Sequence, residues 1–186
     1  MKKLISIVIV CLVTVIAFAQ KDVTQFMGIP IDGSETNMRY QLQKKGFKTL
    51  PYEGGMMEGQ FNGHKVYLGI LTNHQNVCEI VVVYVDIIDE FRYLKDVFNG
   101  LIRQFSNNQK YQASPYNREI PDDEDISYTI KVHNLEYEAH FFQKNKYGEA
   151  DINRHVWLSL AEEDNGACTV CIFYENRYNI PQGEDL

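Results

Sequence analysis

Apolar residues recur along this chain with two different spacings, and each change of spacing marks an element. From Met57 to Ile70 the alternation is every second residue. Met57, Phe61, Val66, Leu68 and Ile70 fall on one side, and Glu58, Gln60, Lys65 and Tyr67 on the other. That is the pattern of two half-buried strands. Asn62-Gly63 divides them. Both central positions of a type I′ turn need positive φ, so Asn-Gly predicts a tight hairpin. The turn sets the register: Phe61 opposite His64, Gly59 opposite Val66, Met57 opposite Leu68. After a turn at 73–76, Val77 to Val85 is almost continuously apolar. A strand of that kind is covered on both faces and belongs at the centre of a sheet. Ile87, Phe91, Leu94, Phe98, Leu101, Ile102 and Phe105 then recur at three and four, predicting a long amphipathic helix over 89–107.

A shorter helix precedes the hairpin. Asp32 or Ser34 can cap it, Asp32 with Glu35 has capping-box spacing, and Met38 and Leu42 lie on one face. Lys44 and Lys45 suit its negative end, Gly46 suits a left-handed cap, and Phe47 can fold back as the accompanying apolar contact. Residues 108–125 read as loop. Beyond them, strands are predicted at Ile126–Val132, Leu135–Gln143, Arg154–Glu162 and Ala167–Glu175. The last two meet at Glu163-Asp164-Asn165-Gly166. A three-residue loop with Gly166 in the left-handed region sets Glu163 opposite Ala167, Leu160 opposite Val170, Leu158 opposite Ile172 and Val156 opposite Tyr174. A two-residue turn would pair Leu158 with Phe173 and scatter the apolar set, so the longer loop is preferred. The expected fold is one α+β domain: an antiparallel β-sheet of six to seven strands with one short and one long helix packed on one face. A β-meander in each half hints at a duplicated unit.

The N-terminus changes the picture of where the chain works. Lys2 and Lys3, the apolar run Leu4–Ile16 and Ala17-Phe18-Ala19 compose a secretory signal over 1–19, with cleavage at Ala19-Gln20 and a mature domain over 20–186. The run is too short to span a bilayer. Cys11 follows Val10 inside it, which does not fit a lipidation site. A periplasmic or extracellular location is therefore expected. The formal charge of −7 becomes −9 once the two leader lysines are gone. An acidic surface repels phosphate backbones and anionic headgroups, which argues against nucleic acid and membrane surfaces as partners. Cys78, Cys168 and Cys171 remain, enough for one disulfide, with Cys78 pairing to either of the others. Cys168-x-x-Cys171 lies in a strand, where residues three apart face opposite ways, so it suits neither a redox pair nor a zinc site.

Candidate chemistry gathers on one strand face. Glu136, Glu138 and His140 alternate, and pairing with the next strand adds His155 and Trp157. Glu138, His140 and His155 could hold a metal or run acid–base chemistry, although a solvated sheet face shows the same alternation. The register sets Phe173 opposite Trp157 and Cys171 opposite Ser159. Phe142, Trp157 and Phe173 would then form a stacking platform or docking patch, or a second core if another element covers them. Trp157, the only tryptophan, also offers a surface for carbohydrate. The acidic run Asp122–Asp125 fails the EF-hand pattern, with Tyr128 at the position that needs glycine. No nucleophile or phosphate-loop motif is present, and no cofactor or resident metal is expected.

Gly28-Ile29-Pro30-Ile31-Asp32-Gly33-Ser34, then Lys45-Gly46-Phe47, then Gly59-Gln60-Phe61-Asn62-Gly63, with Phe173-Tyr174-Glu175-Asn176 near the end, resemble a layout found in small secreted proteins of the Bacteroidetes. The resemblance implies an exported α+β domain and supplies no catalytic residues. A fainter similarity is to β-lactamase-inhibitor-like and outer-membrane-assembly lipoprotein folds, which implies action by binding proteins; the anchoring cysteine of the latter is missing here. The expected function is an exported, non-enzymatic binding module for a protein or cell-envelope component. The residues expected to carry it are Phe142, Trp157, Phe173, His140 and His155.

Overall fold

A computed structural model describes residues 22–51, 54–85, 90–163 and 166–180. The proposed signal segment, Asp89, and Asp164-Asn165 lie outside them. A two-stranded hairpin, β1 (Gln25–Phe26) and β2 (Ile29–Pro30), leads into helix α1 (Glu35–Lys44). Strands β3 (Lys48–Thr49), β4 (Met57–Phe61), β5 (His64–Thr72) and β6 (Cys78–Val85) follow, then helix α2 (Phe91–Asn107) and the short β7 (Tyr111–Ala113). Helix α3 (Ile126–His133) precedes β8 (Tyr137–Lys144), β9 (Ala150–Glu162) and β10 (Cys168–Asn176).

Eight of the strands form one antiparallel sheet, ordered β3-β4-β5-β6-β10-β9-β8-β7. Each half is a helix followed by four antiparallel strands in sequence order, the second interrupted by α3 between β7 and β8, and β6 joins β10 at the middle. Val83 sits opposite Ile172 there, and Val82 opposite Phe173. The apolar run of β6 thus marks the sheet's centre, as its composition predicts.

Both hairpin registers match the sequence reading. Asn62 and Gly63 have φ of 53° and 84°, and Met57 pairs with Leu68. On the other side, Leu158 pairs with Ile172 and Val156 with Tyr174. Gly166, at φ 82°, donates its N–H to the Glu163 carbonyl at 2.8 Å.

Three helices cover one face of this sheet. Met38 and Leu42 of α1, Leu94, Phe98 and Phe105 of α2, and Ile126 and Ile130 of α3 share a buried cluster with Leu68, Val83, Leu158 and Ile172. The α1 cap is Ser34, whose Oγ accepts the Asn37 N–H; Glu35 pairs with Arg39 instead of reaching back to Asp32. Phe47 folds back as expected, and its ring lies against Gly59. A Cβ at Gly59 would collide with that ring, which gives the glycine its place in the G-x-F-x-G hairpin.

Two expectations need correction. Ile126–Val132 is helical and not a strand, so the described residues hold three helices. Asp125 Oδ1 accepts the N–H groups of Ser127 and Tyr128 at 3.1 and 3.2 Å, and Asn134 closes the helix at φ 51°. Ile126 and Ile130, four apart, supply its buried face. The other correction is in the loop 108–125, which contains the edge strand β7 paired to β8. With it the main sheet has eight strands, more than the six to seven expected. Among the described residues no helix is long and apolar enough to cross a membrane.

Candidate functional site

Alternation puts a second set of side chains on the face away from the helices. On β8, β9 and β10 these are Glu138, His140 and Phe142; His155, Trp157 and Ser159; and Cys171, Phe173 and Glu175. Cross-strand pairing sorts the aromatic members into two rows. Phe142 stands opposite His155, and His140 opposite Trp157, which is opposite Phe173. Phe142 therefore does not lie in line with Trp157 and Phe173. It is two residues from His140 along β8, and so one row away.

The rings are packed against one another. Trp157 and Phe173 stack with centroids 4.0 Å apart and planes at 7°. His140 flanks the other side of Trp157 at 6.2 Å. His140 and His155 stack at 5.3 Å, as do Phe142 and His155. Trp157 is thus held between two rings. The patch offers ring edges more than faces, and an edge carries the positive part of the ring quadrupole.

A chain of polar contacts runs beneath the rings. His155 Nδ1 lies 2.8 Å from Glu175 Oε2, His155 Nε2 lies 3.1 Å from His140 Nδ1, and His140 Nε2 lies 3.2 Å from Glu138 Oε2. A carboxylate only accepts, so the hydrogen between His155 and Glu175 belongs to Nδ1. Nε2 of His155 then accepts from His140. Three hydrogens complete the three links, and the imidazole pair with all links made carries one positive charge between two carboxylates. Arg177 Nη2 lies 2.6 Å from His155 Nδ1. Because that nitrogen already bears hydrogen, the guanidinium crowds it and bonds instead to Glu175 through Nε, at 3.1 Å.

Glu175 is the hub. Its Oε1 accepts the Trp157 indole N–H at 2.7 Å, and Oε2 accepts from His155 and Arg177. Its side chain is only 13% exposed. Burial opposes its ionisation, but hydrogen bonds from His155, Trp157 and Arg177 outweigh burial and hold its pKa at about 2. His155 is 4% exposed on its side chain. Burial lowers its pKa, the Glu175 hydrogen bond acts the other way, and Arg177 adds to the lowering. His155 stands at the buried end of the chain of contacts, while His140 and Glu138 stand at the solvent end, 37% and 46% exposed.

The arrangement bears on the metal and acid–base alternatives. Glu138, His140 and His155 are strung in a line, each nitrogen already facing a partner, and do not converge on a point. Among the described residues no group of three or more His, Cys, Asp or Glu is placed to hold a metal. Ser159 donates its hydroxyl to Glu136, so it is not activated by an imidazole. Cys78, Cys168 and Cys171 are buried and none is in a disulfide, so the one bond the count allowed is not formed. Cys168 joins the core cluster while Cys171 faces the other way, as strand alternation requires. Burial pushes the Cys78 thiol up to about 11 and the Cys171 thiol higher still, the latter reinforced by Glu163. Such thiols are poor nucleophiles.

Sequence reasoning brought His140, His155, Trp157 and Phe173 together correctly. It missed Glu175, on the same face of β10, and Arg177, just past that strand's end; the signal was Glu175, two residues past Phe173. No family model, curated protein or solved structure matches the chain significantly.

Proposed function

We propose that the protein is an exported, non-enzymatic binding module whose uncovered sheet face docks a protein of the cell envelope. The observation that carries this reading is the aromatic patch of β8–β10, half exposed yet held by buried hydrogen bonds to Glu175. Side chains fixed in advance lose little entropy on binding, and large aromatic residues dominate interface energetics. The partner's chemistry follows from charge. Glu136, Glu138 and Glu163 border the patch, with Arg177 beside Glu175, on a chain with net charge −7. A protein surface presenting lysine and arginine is complementary to it.

Two other readings are weaker. A catalytic role for Glu138, His140 and His155 is supported by the hydrogen-bonded chain, which could pass a proton, but no nucleophile adjoins it. Carbohydrate stacking on Trp157 lacks a free ring face. Capture from envelope extract by immobilised wild type and by a Trp157→Ala/Phe173→Ala variant tests the proposal. The variant is expected to lose about tenfold or more of the captured basic partner. Equal recovery of every protein by both removes this face from consideration.

A further inference from the structure

We propose a second site, on the helix side of the sheet: a cleft that binds a carboxylated, hydroxyl-rich small molecule of the uronic-acid oligosaccharide class. The cleft, about 1030 Å³, opens where the β1–β2 turn, the tip of the β4–β5 hairpin, the end of α2 and the β8–β9 turn meet. That is within the range of pockets that enclose organic ligands rather than single ions.

Its charge is opposite to that of the molecule. Lys110, Lys144, Lys146 and Arg154 line it, and no Asp or Glu does. Two carboxylates lie beside it: Asp22 is bonded to Arg154 at 3.0 Å and accepts the Lys146 backbone N–H at 2.9 Å, and Glu149 accepts from Asn145 Nδ2 at 3.2 Å. The C-terminal end of α2 adds roughly half a negative charge, which four cations outweigh. Arg154 is 5% exposed. Its Nη1 donates to the Lys144 carbonyl at 2.7 Å, while its Nε is buried with no partner. Its Nη2 donates to Gln143 Oε1 at 3.4 Å, so the guanidinium is anchored through its two Nη atoms and lends its positive charge to the cleft.

The remaining lining fits a sugar better than a bare anion. Asn62, Gln104, Asn107 and Asn108 border the cleft, and an amide both donates and accepts, as hydroxyls require. Phe61, Phe105, Tyr111 and Tyr174 supply apolar ring surface. Met27 and Gly28, also in the lining, form the tight β1–β2 turn at φ of 52° and 80°.

Calorimetric titration with trigalacturonate, with maltotriose as the neutral counterpart and inorganic phosphate as the bare anion, tests the site. Trigalacturonate is expected to bind at least about tenfold more tightly than either, and more weakly as salt rises. Lys110→Glu/Lys146→Glu, both exposed positions, is expected to weaken it by about tenfold or more. Lys48→Glu/Arg92→Glu, with the same change in net charge elsewhere, should leave it within about twofold. No binding at millimolar trigalacturonate, equal binding of maltotriose or phosphate, or equal loss in both reversal variants would each overturn the proposal. None of these outcomes bears on the opposite sheet face, whose test is protein capture.

Discussion

The two halves of the sheet share an architecture and differ in chemistry. Each begins with a helix and adds four antiparallel strands, the second with α3 inserted after its first strand, and each lines the common core with aliphatic side chains: Val66, Leu68 and Val83 in one, Val156, Leu158 and Ile172 in the other. On the face away from the helices they part. Strands β4–β6 carry Glu58, Lys65, Tyr67, Val82 and Tyr84 there, joined by surface contacts such as Lys65 Nζ to Tyr67 Oη at 2.7 Å and the looser Lys65–Glu58 pair at 3.9 Å. Strands β8–β10 carry stacked rings over a buried, ionised glutamate. Among the described residues, the outer face of the first half has no carboxylate shared by ring and guanidinium donors as Glu175 is. That contrast supports the binding role proposed for the second half.

That comparison can be broken at three levels. The largest effect is expected where the halves should be alike. Leu68→Ala and Leu158→Ala, both fully buried, should each cost about 3 kcal/mol in urea unfolding, the usual range for a core leucine. A cost confined to one of them would mean the halves do not share one core.

The next effect should separate the halves. Glu175→Ala strips the acceptor from Trp157, His155 and Arg177, leaving donors without partners, and should cost about 2 kcal/mol. Glu58→Ala, at the exposed pair, should cost no more than about 0.5 kcal/mol. Similar values for the two would remove the distinction drawn above.

Acid titration sharpens the same point. Glu175 has its pKa depressed in the folded state to about 2, so its contribution is fully present above the ordinary range near 4.5 and is lost as pH falls towards 2. After allowance for partial exposure that contribution is about 2 kcal/mol. The lowered pKa of His155 acts in the same direction at higher pH. The unfolded chain takes up that proton near 6.5 while the folded chain does not, so stability starts to fall below about pH 6.5. Unfolding free energy should thus decline in two stages. Glu175→Gln should flatten the lower one, and an unchanged profile in that variant would contradict the assignment.

Strand register was legible because Asn62-Gly63 and Gly166 are local signals that act over long distances: each turn aligns a whole pair of strands. The face shared by His140, His155, Trp157 and Phe173 followed from that alignment alone. The segment Ile126–Val132 was misread because its β-branched residues favour strand, while its true period rests on just two residues, Ile126 and Ile130, and on the Asp125 cap. Composition outweighed a cap that was visible. The β7 strand was lost in a polar loop because three residues carry too little pattern to read. Glu175 could be placed on the right face, but its role arises from donors on the neighbouring strand β9 and on the segment beyond β10, and no spacing reports that. The cleft was further out of reach, since four separated segments meet there and Arg154 acquires its burial only from their meeting.

The central claim is that the β8–β10 face is the docking surface, and Trp157 can report on it directly because it is the chain's only tryptophan. With 5-fluorotryptophan incorporated, the protein gives one fluorine signal that stays distinct from any partner's tryptophan. Adding the captured envelope protein should shift or broaden that signal and reduce its relaxation by a soluble paramagnetic probe by about twofold or more. A partner that binds while the signal and its solvent relaxation stay unchanged would contradict the account.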